Sequence, residues 1–313
     1  MSRPAVLEVE VRPRWTYRLP RTGRGDGVMR LRSGVLTRLL HVEERPVVVH
    51  VWQAAHDRVC FRAVDAAEEG AAGAPSALER AIERMRFAVG VDEDLTDFAR
   101  QFRGDPLIGE AIHHRPWHRP RRRAWPWEAL AWAVTEQLIE ARRAKEIQRR
   151  IVYRWGPRLP SGSCAAWGGR GPLRDVPDAA LVAGRAPAEL ASMDLAPSRA
   201  LALIGCAREV AAGRARVEEK EADRRLRKIP GIGPWTLQVL GLAGRGDPDS
   251  LPAGDLAYVK LVGMLARLGR RATVEEVEEY FAPYAPYRGL AGSFALARWH
   301  GAVAAGPPLR LAA

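Results

Sequence analysis

A chain of 313 residues with 47% hydrophobic and 27% charged side chains has the composition of an ordinary soluble globular protein, with apolar material for two or three cores. Its 49 Lys and Arg against 37 Asp and Glu leave a net charge of +12, carried mostly by Arg. A G+C-rich genome would explain the Arg:Lys ratio but not the excess charge, so a polyanion, with nucleic acid foremost, is the first partner to consider.

The N-terminus holds no apolar run long enough for a signal peptide, and no stretch approaches the roughly 18 apolar residues of a membrane helix. The first eighty residues read as β-rich: Ala5–Val11, Val28–Leu40, Val47–Trp52 and Val59–Val64 alternate or carry β-branched residues, split by turns such as Thr22–Gly27. Leu78, Ile82, Met85 and Val89 then recur at helical spacing over Ser76–Val89, which closes a small antiparallel α+β unit. From Asp92 onward the pattern is helical. Pro126 suits a first helical turn, and Trp127–Trp155 reads as one helix with Leu130, Val134, Ile139 and Ile147 on its apolar side. Ser198 is expected to cap Arg199–Ala212, and Thr273 with Glu276 to form a capping box for a helix reaching Phe281. Gly/Pro-rich stretches at Pro157–Pro172 and Gly244–Gly254 separate these helices. The cysteines Cys60, Cys164 and Cys206 lie far apart with no CxxC, so they build neither a zinc site nor a four-cysteine iron–sulfur cluster and read as reduced thiols of a cytoplasmic protein.

The chemistry concentrates in two segments. In Leu226-Arg-Lys-Ile-Pro-Gly-Ile-Gly-Pro-Trp-Thr-Leu-Gln-Val-Leu240, an apolar helix end (Leu226, Ile229) runs into Pro230-Gly231-Ile232-Gly233, and a new helix starts at Pro234. Glycines admit the tight backbone of a helix–hairpin–helix, whose second helix points free N–H groups outward to grip a phosphate without reading sequence. The plain alternative is an αα-corner with Gly at its cap. The second segment is Leu251-Pro-Ala-Gly-Asp-Leu-Ala-Tyr-Val-Lys260, where Asp255 stands at a loop-to-helix junction. By position alone such an Asp is an N-cap more often than a catalyst.

The pair resembles the helix–hairpin–helix, Gly/Pro-rich-loop, Asp (HhH-GPD) superfamily of DNA base-excision glycosylases, closest to its 3-methyladenine DNA glycosylase II branch. Trp127-Glu-Ala-Leu-Ala-Trp-Ala-Val-Thr-Glu-Gln-Leu-Ile139 is similar to the helix that leads to the family's Gln. The resemblance implies an N-terminal α+β antiparallel β-sheet (TBP-like) domain over residues 1–89, followed by a mostly α-helical core of two helical domains. One comprises residues 90–118 and 248–313 and carries Asp255; the other, residues 119–247, carries the hairpin. It further implies that Asp255 is the essential carboxylate and that Gly231, Gly233 and Thr236 contact phosphates beside the lesion. Leu138, with Gln137 before it, is the implied wedge that fills the gap left by an extruded base; without the resemblance Leu138 reads as core. Trp235 is the implied wall of a base pocket, with Tyr258 and Trp299 as further pocket candidates that core packing would explain equally well. Val239 and Leu256 stand where the branch often has aromatics. Carbonyls near Ile229 and Ile232 match those that hold a monovalent cation (Na+ or K+) in the family; no other cofactor is required.

A lone Asp suffices chemically, because the leaving alkylated purine is already cationic and the carboxylate needs only to stabilise the sugar's positive charge and orient water. Family members that also nick the strand carry a lysine two residues after the second hairpin glycine; here that residue is Trp235, so no lyase activity is expected. The expected protein is thus a monomeric, cytoplasmic, nucleoid-associated enzyme acting on double-stranded DNA. Two other readings stand beside it: a glycosylase for oxidised or mismatched bases, and a non-catalytic DNA-binding module. The segment His113-His-Arg-Pro-Trp-His-Arg-Pro-Arg-Arg-Arg123 reads as a basic loop beside DNA or a solvated linker in preference to a metal site, with Trp125 and Trp127 packing at its edge where domains meet.

Overall fold

The computed structural model describes residues 4–20, 25–67, 75–159 and 172–304; Cys164, part of the Thr22–Gly27 turn and most of Pro157–Pro172 lie outside them. Five strands, β1 (Val6–Val11), β2 (Met29–Arg32), β3 (Val35–Val42), β4 (Arg45–Ala55) and β5 (Arg58–Asp65), form an antiparallel sheet of order β1-β5-β4-β3-β2. The stretch expected as one strand from Val28 to Leu40 is two. Ser33 (φ 49°) and Gly34 (φ 80°) both take left-handed backbone, which reverses the chain in a tight hairpin between Arg32 and Val35. Val47, Val48 and Val49 are all fully buried because both sheet faces are covered. Helix α1 (Pro75–Val89) lays Leu78, Ile82 and Met85 into a cluster with Leu36, Leu40, Val47 and Val49, while Leu159 and Leu173 cover Leu39 and Val48.

The helical part runs α2 (Thr96–Phe102), α3 (Gly109–His114), α4 (Pro126–Glu136), α5 (Ala141–Trp155), α6 (Ala179–Ala183), α7 (Pro187–Ala191), α8 (Pro197–Ala211), α9 (Ala222–Leu226), α10 (Pro234–Val239) with a π-helical extension Leu240–Arg245, α11 (Leu256–Leu265), α12 (Val274–Phe281) and α13 (Arg288–Ala304). The single helix expected over Trp127–Trp155 breaks after Glu136, since Leu138 adopts φ 53°. Ser198 is not a cap: Pro197 supplies the fixed φ of a first helical residue, and the N-cap is Ala196. The Thr273–Glu276 capping box forms as expected, with Thr273 N–H donating to Glu276 at 2.7 Å. Two helical cores result. One gathers Leu130, Trp132, Ile151, Leu203 and Leu240; the other gathers Phe98, Tyr258, Phe281 and Phe294. Sequence order and packing interleave, for Val28 joins the first helical core while Leu159 and Leu173 serve the sheet. Among the described residues no helix is long and apolar enough to cross a membrane.

The stretch leading into α4 departs in part from the expected basic loop or solvated linker. Arg123 is 9% exposed and bonds Asp26 and Glu128, and Glu128 in turn takes both Nη groups of Arg38 from β3, at 3.2 and 2.8 Å. Arg38 also reaches Asp175 at 3.4 Å, and Asp175 accepts the His41 backbone N–H at 2.8 Å. Arg119 and Arg122 converge on Glu93, whose carboxyl burial nevertheless pushes up. His118 packs edge-on against Phe294 at 4.8 Å, and burial holds its pKa down at about 4, so it is neutral at pH 7. A buried cation without a partner is prohibitively unstable, so these arginines are drawn to distant carboxylates rather than left in solvent. From Pro116 to Arg123 the segment is a strap between sheet and helices, while His113, His114, Arg115 and Arg121 are exposed. Trp125 packs against the sheet cluster, whereas Trp127 belongs to the helical one and donates from Nε1 to the Pro177 carbonyl at 3.0 Å.

Candidate active site

Leu226, fully buried, anchors the end of α9, and the chain then turns through Ile229–Gly233. Ile232 N–H donates to Ile229 O at 3.0 Å, and Gly231 takes φ 87°, a conformation that favours glycine. The turn lies against α8: an added Cβ on Gly231 would stand 3.4 Å from Ala202 Cβ, and one on Gly205 would meet Ile229 Cγ2 at 2.9 Å. Small residues on both sides thus let two backbones approach. Gly233 caps α10 with no side chain and Pro234 has no N–H, so the remaining amides of the first turn have no intrahelical acceptor. Thr236 is only 1% exposed and its hydroxyl accepts from Gln137 Nε2 at 2.8 Å, which leaves its backbone, not its side chain, for an outside ligand.

Gln137 also donates to Gly231 O at 2.8 Å, so the connection after α4 is fastened to the hairpin. Next to it, Leu138 is 101% exposed, the reverse of the core position its side chain implies. Arg199, from the first turn of α8, holds the same connection from behind, donating from Nη1 to Thr135 O at 3.2 Å and Gln137 O at 3.0 Å. Nothing in the sequence near Leu138 marks Arg199, since the contact spans more than sixty positions.

Asp255 is half-buried at the N-cap of α11, where one carboxylate oxygen accepts Ala257 N–H at 2.8 Å. Its other oxygen has no protein partner among the described residues. The capping and chemical readings therefore coexist: one oxygen fixes the group while the second stays available. The loop before it lies beside the hairpin helix, because a Cβ added to Gly254 would stand 3.8 Å from both Trp235 Cβ and Val274 Cγ2. Leu256, 51% exposed, adds an apolar side chain next to Asp255. Trp235 occupies the position two residues after Gly233, while Lys228 and Lys260 are exposed elsewhere.

Tyr258 corrects an expectation. It is 4% exposed, packs edge-on against Phe281 at 5.9 Å, and burial together with the Asp255 charge pushes its hydroxyl pKa up, so it is a core residue with no face for a base. Trp299 is partly buried against the same core. A cavity of about 280 Å³ beside α4 is lined by Arg121, Arg123, Trp132, Glu136, Lys145 and Val239, and it includes neither Trp235 nor Asp255. Val239 lies one turn along α10 from Trp235, on the same face. A larger concavity of about 990 Å³, walled by Trp15, Tyr17, Arg18 and Trp117, includes none of the hairpin or Asp255 residues. Among the described residues no group of three or more His, Cys, Asp or Glu gathers to hold a metal. Cys206 is buried, which pushes its thiol up to about 12.

No family model matches the chain. In sequence it is similar to a DNA-3-methyladenine glycosylase of Bacillus subtilis (strain 168), 27% identical over 209 residues, which is 64% of this chain and 66%, just short of two thirds, of that relative. In structure it is similar to 3-methyladenine DNA-glycosylase from Archaeoglobus fulgidus, with TM-score 0.77 and 18% identity over 93% of this chain and 98% of the other. A Clostridium acetobutylicum 8-oxoguanine glycosylase/lyase in complex with double-stranded DNA aligns with TM-score 0.66 and 16% identity, over 89% and 90% of the two chains. At these identities the structural likenesses establish a shared α+β glycosylase fold.

Proposed function

We propose that this chain is a monofunctional DNA glycosylase that extrudes an alkylated purine of the 3-methyladenine type from duplex DNA, hydrolyses its N-glycosidic bond with Asp255, and leaves an abasic site. The observation that carries the reading is the meeting of Gly254, the residue before Asp255, with Trp235 at the head of the hairpin helix. A carboxylate with one free oxygen stands beside amides able to hold a phosphate.

In this mechanism the backbone around Gly231, Gly233 and Thr236 fixes the strand without reading sequence, and the excess positive charge supports the encounter. Leu138 enters the stack as the base leaves, offsetting part of the few kcal/mol of unstacking. The base lies against Trp235, whose ring face favours a cationic purine over a neutral one. As the glycosidic bond stretches, the free Asp255 oxygen stabilises the developing charge on the sugar and orients water. Trp235 in place of an amine supports water as the nucleophile, with no Schiff base. The Ile229 and Gly231 carbonyls each hold one hydrogen bond and keep a second lone pair, a donor set that fits a Na+ or K+ ion, with the Ile232 carbonyl beside them. When bound, that ion would add positive charge near the phosphate. We further assign the helical part to two domains, residues 90–118 with 248–313 and residues 119–247, in a monomeric cytoplasmic enzyme.

Incubation with methylated DNA and chromatography of the released bases tests the reading. It predicts free alkylpurine and strand breaks that appear only after alkali. Breaks without alkali would refute the water mechanism, and no released base would refute the enzyme.

A further inference from the structure

We infer that Arg199 and Gln137 form a latch that holds the Leu138 wedge extended before DNA arrives and ties its position to the phosphate-gripping hairpin; the inference rests on the glycosylase reading. A leucine with φ 53° and a wholly solvent-exposed side chain is doubly unfavourable, in backbone conformation and in hydration, so neighbouring contacts must impose it. Those contacts are present. The Arg199 guanidinium donates to the carbonyls of Thr135 and Gln137, two of the groups that a helix ending at Glu136 leaves without N–H partners. Gln137 Nε2 donates to both Gly231 O and Thr236 Oγ1, so the side chain is a strut to the hairpin and not a second intercalating group. From inside, Gln148 and Lys145 on α5 meet Thr135 and Glu136 at 2.7–3.0 Å, so every residue from Thr135 to Gln137 is tied.

Leu138 is the one untethered residue at the end of this fastened run, and its direction is set before binding. Arg199 is a positioning residue, not a catalytic one. Its plain alternative is a cap for the end of α4, which would affect stability alone.

A duplex carrying a tetrahydrofuran abasic analogue next to 2-aminopurine separates these without needing turnover, because insertion of the wedge unstacks the fluorescent base. The parent should give a clear fluorescence rise on binding, and Leu138→Gly should lose it. Arg199→Ala should lose at least about 5-fold of the rise while its Kd stays within about 3-fold, since phosphate contacts carry most of the affinity. Arg199→Lys, whose ammonium has donors for both carbonyls that Nη1 serves but on a shorter arm, should keep more of the rise than Arg199→Ala and guards against a misfolded alanine variant. A full rise from Arg199→Ala, or no rise from the parent, overturns the latch. A rise from the parent without base release from methylated DNA would refute the glycosylase reading while leaving the latch standing.

Discussion

The two connections at the ends of α4 invert what their side chains announce. The one that enters it, Arg115 to Trp125, carries five arginines and no acid, yet Arg119, Arg122 and Arg123 turn inward onto Glu93, Asp26 and Glu128. The one that leaves it, Gln137 to Glu140, is short and partly apolar, yet it thrusts a leucine fully into solvent. Charge alone therefore does not locate a DNA-facing surface. What decides is whether each group has a partner: the arginines found carboxylates, whereas the leucine was held away from every apolar neighbour. The first connection is the frame and the second is the tool.

The sharpest break in this division would come at Asp255. Asp255→Asn keeps a good N-cap, so folding should be unchanged, while single-turnover excision should fall roughly 100- to 1,000-fold with DNA affinity retained. In the frame, Glu128→Gln leaves Arg38 and Arg123 under-compensated in a dry site and should lower unfolding free energy by about 3 kcal/mol, read by denaturant titration. The same frame gives a pH signature. Burial alone would raise the carboxyl of Asp26, but Arg123, Arg38 and Lys145 outweigh it and hold it below its usual 3.8. A depressed carboxylate contributes stability that is complete above the unfolded value and lost as pH falls through the folded one. Thermal scans should therefore show this contribution disappearing below about pH 4. For the tool the signs separate: Leu138→Gly should raise stability by about 1 kcal/mol through relief of left-handed backbone, yet slow excision of a paired lesion about 10-fold. The smallest contrast lies between two glycines. Gly231→Ala, at φ 87°, should destabilise by about 1 kcal/mol, whereas Gly254→Ala, in ordinary van der Waals contact, should change stability by less than about 0.5 kcal/mol.

The hairpin and Asp255 were legible because their chemistry resides in the identities Pro230, Gly231, Gly233 and the Asp at a helix start. The five-stranded sheet was legible from alternation, though the Ser33–Gly34 reversal was hidden inside an apolar run. Leu138 was legible only by resemblance, since Gln137-Leu138-Ile139 contains no helix breaker and its backbone is imposed by Arg199 and Gln137. The strap was illegible because its carboxylates lie up to about a hundred positions away, and periodicity could not tell a buried Tyr258 from one that lines a pocket.

The central claim is tested most directly by one gel: a duplex with a single 3-methyladenine-type lesion, incubated with the parent and with Asp255→Asn, each resolved before and after hot alkali. The account predicts an alkali-dependent band for the parent, and none on the same timescale for the variant. An equal band from the variant, or a band that needs no alkali, would contradict it.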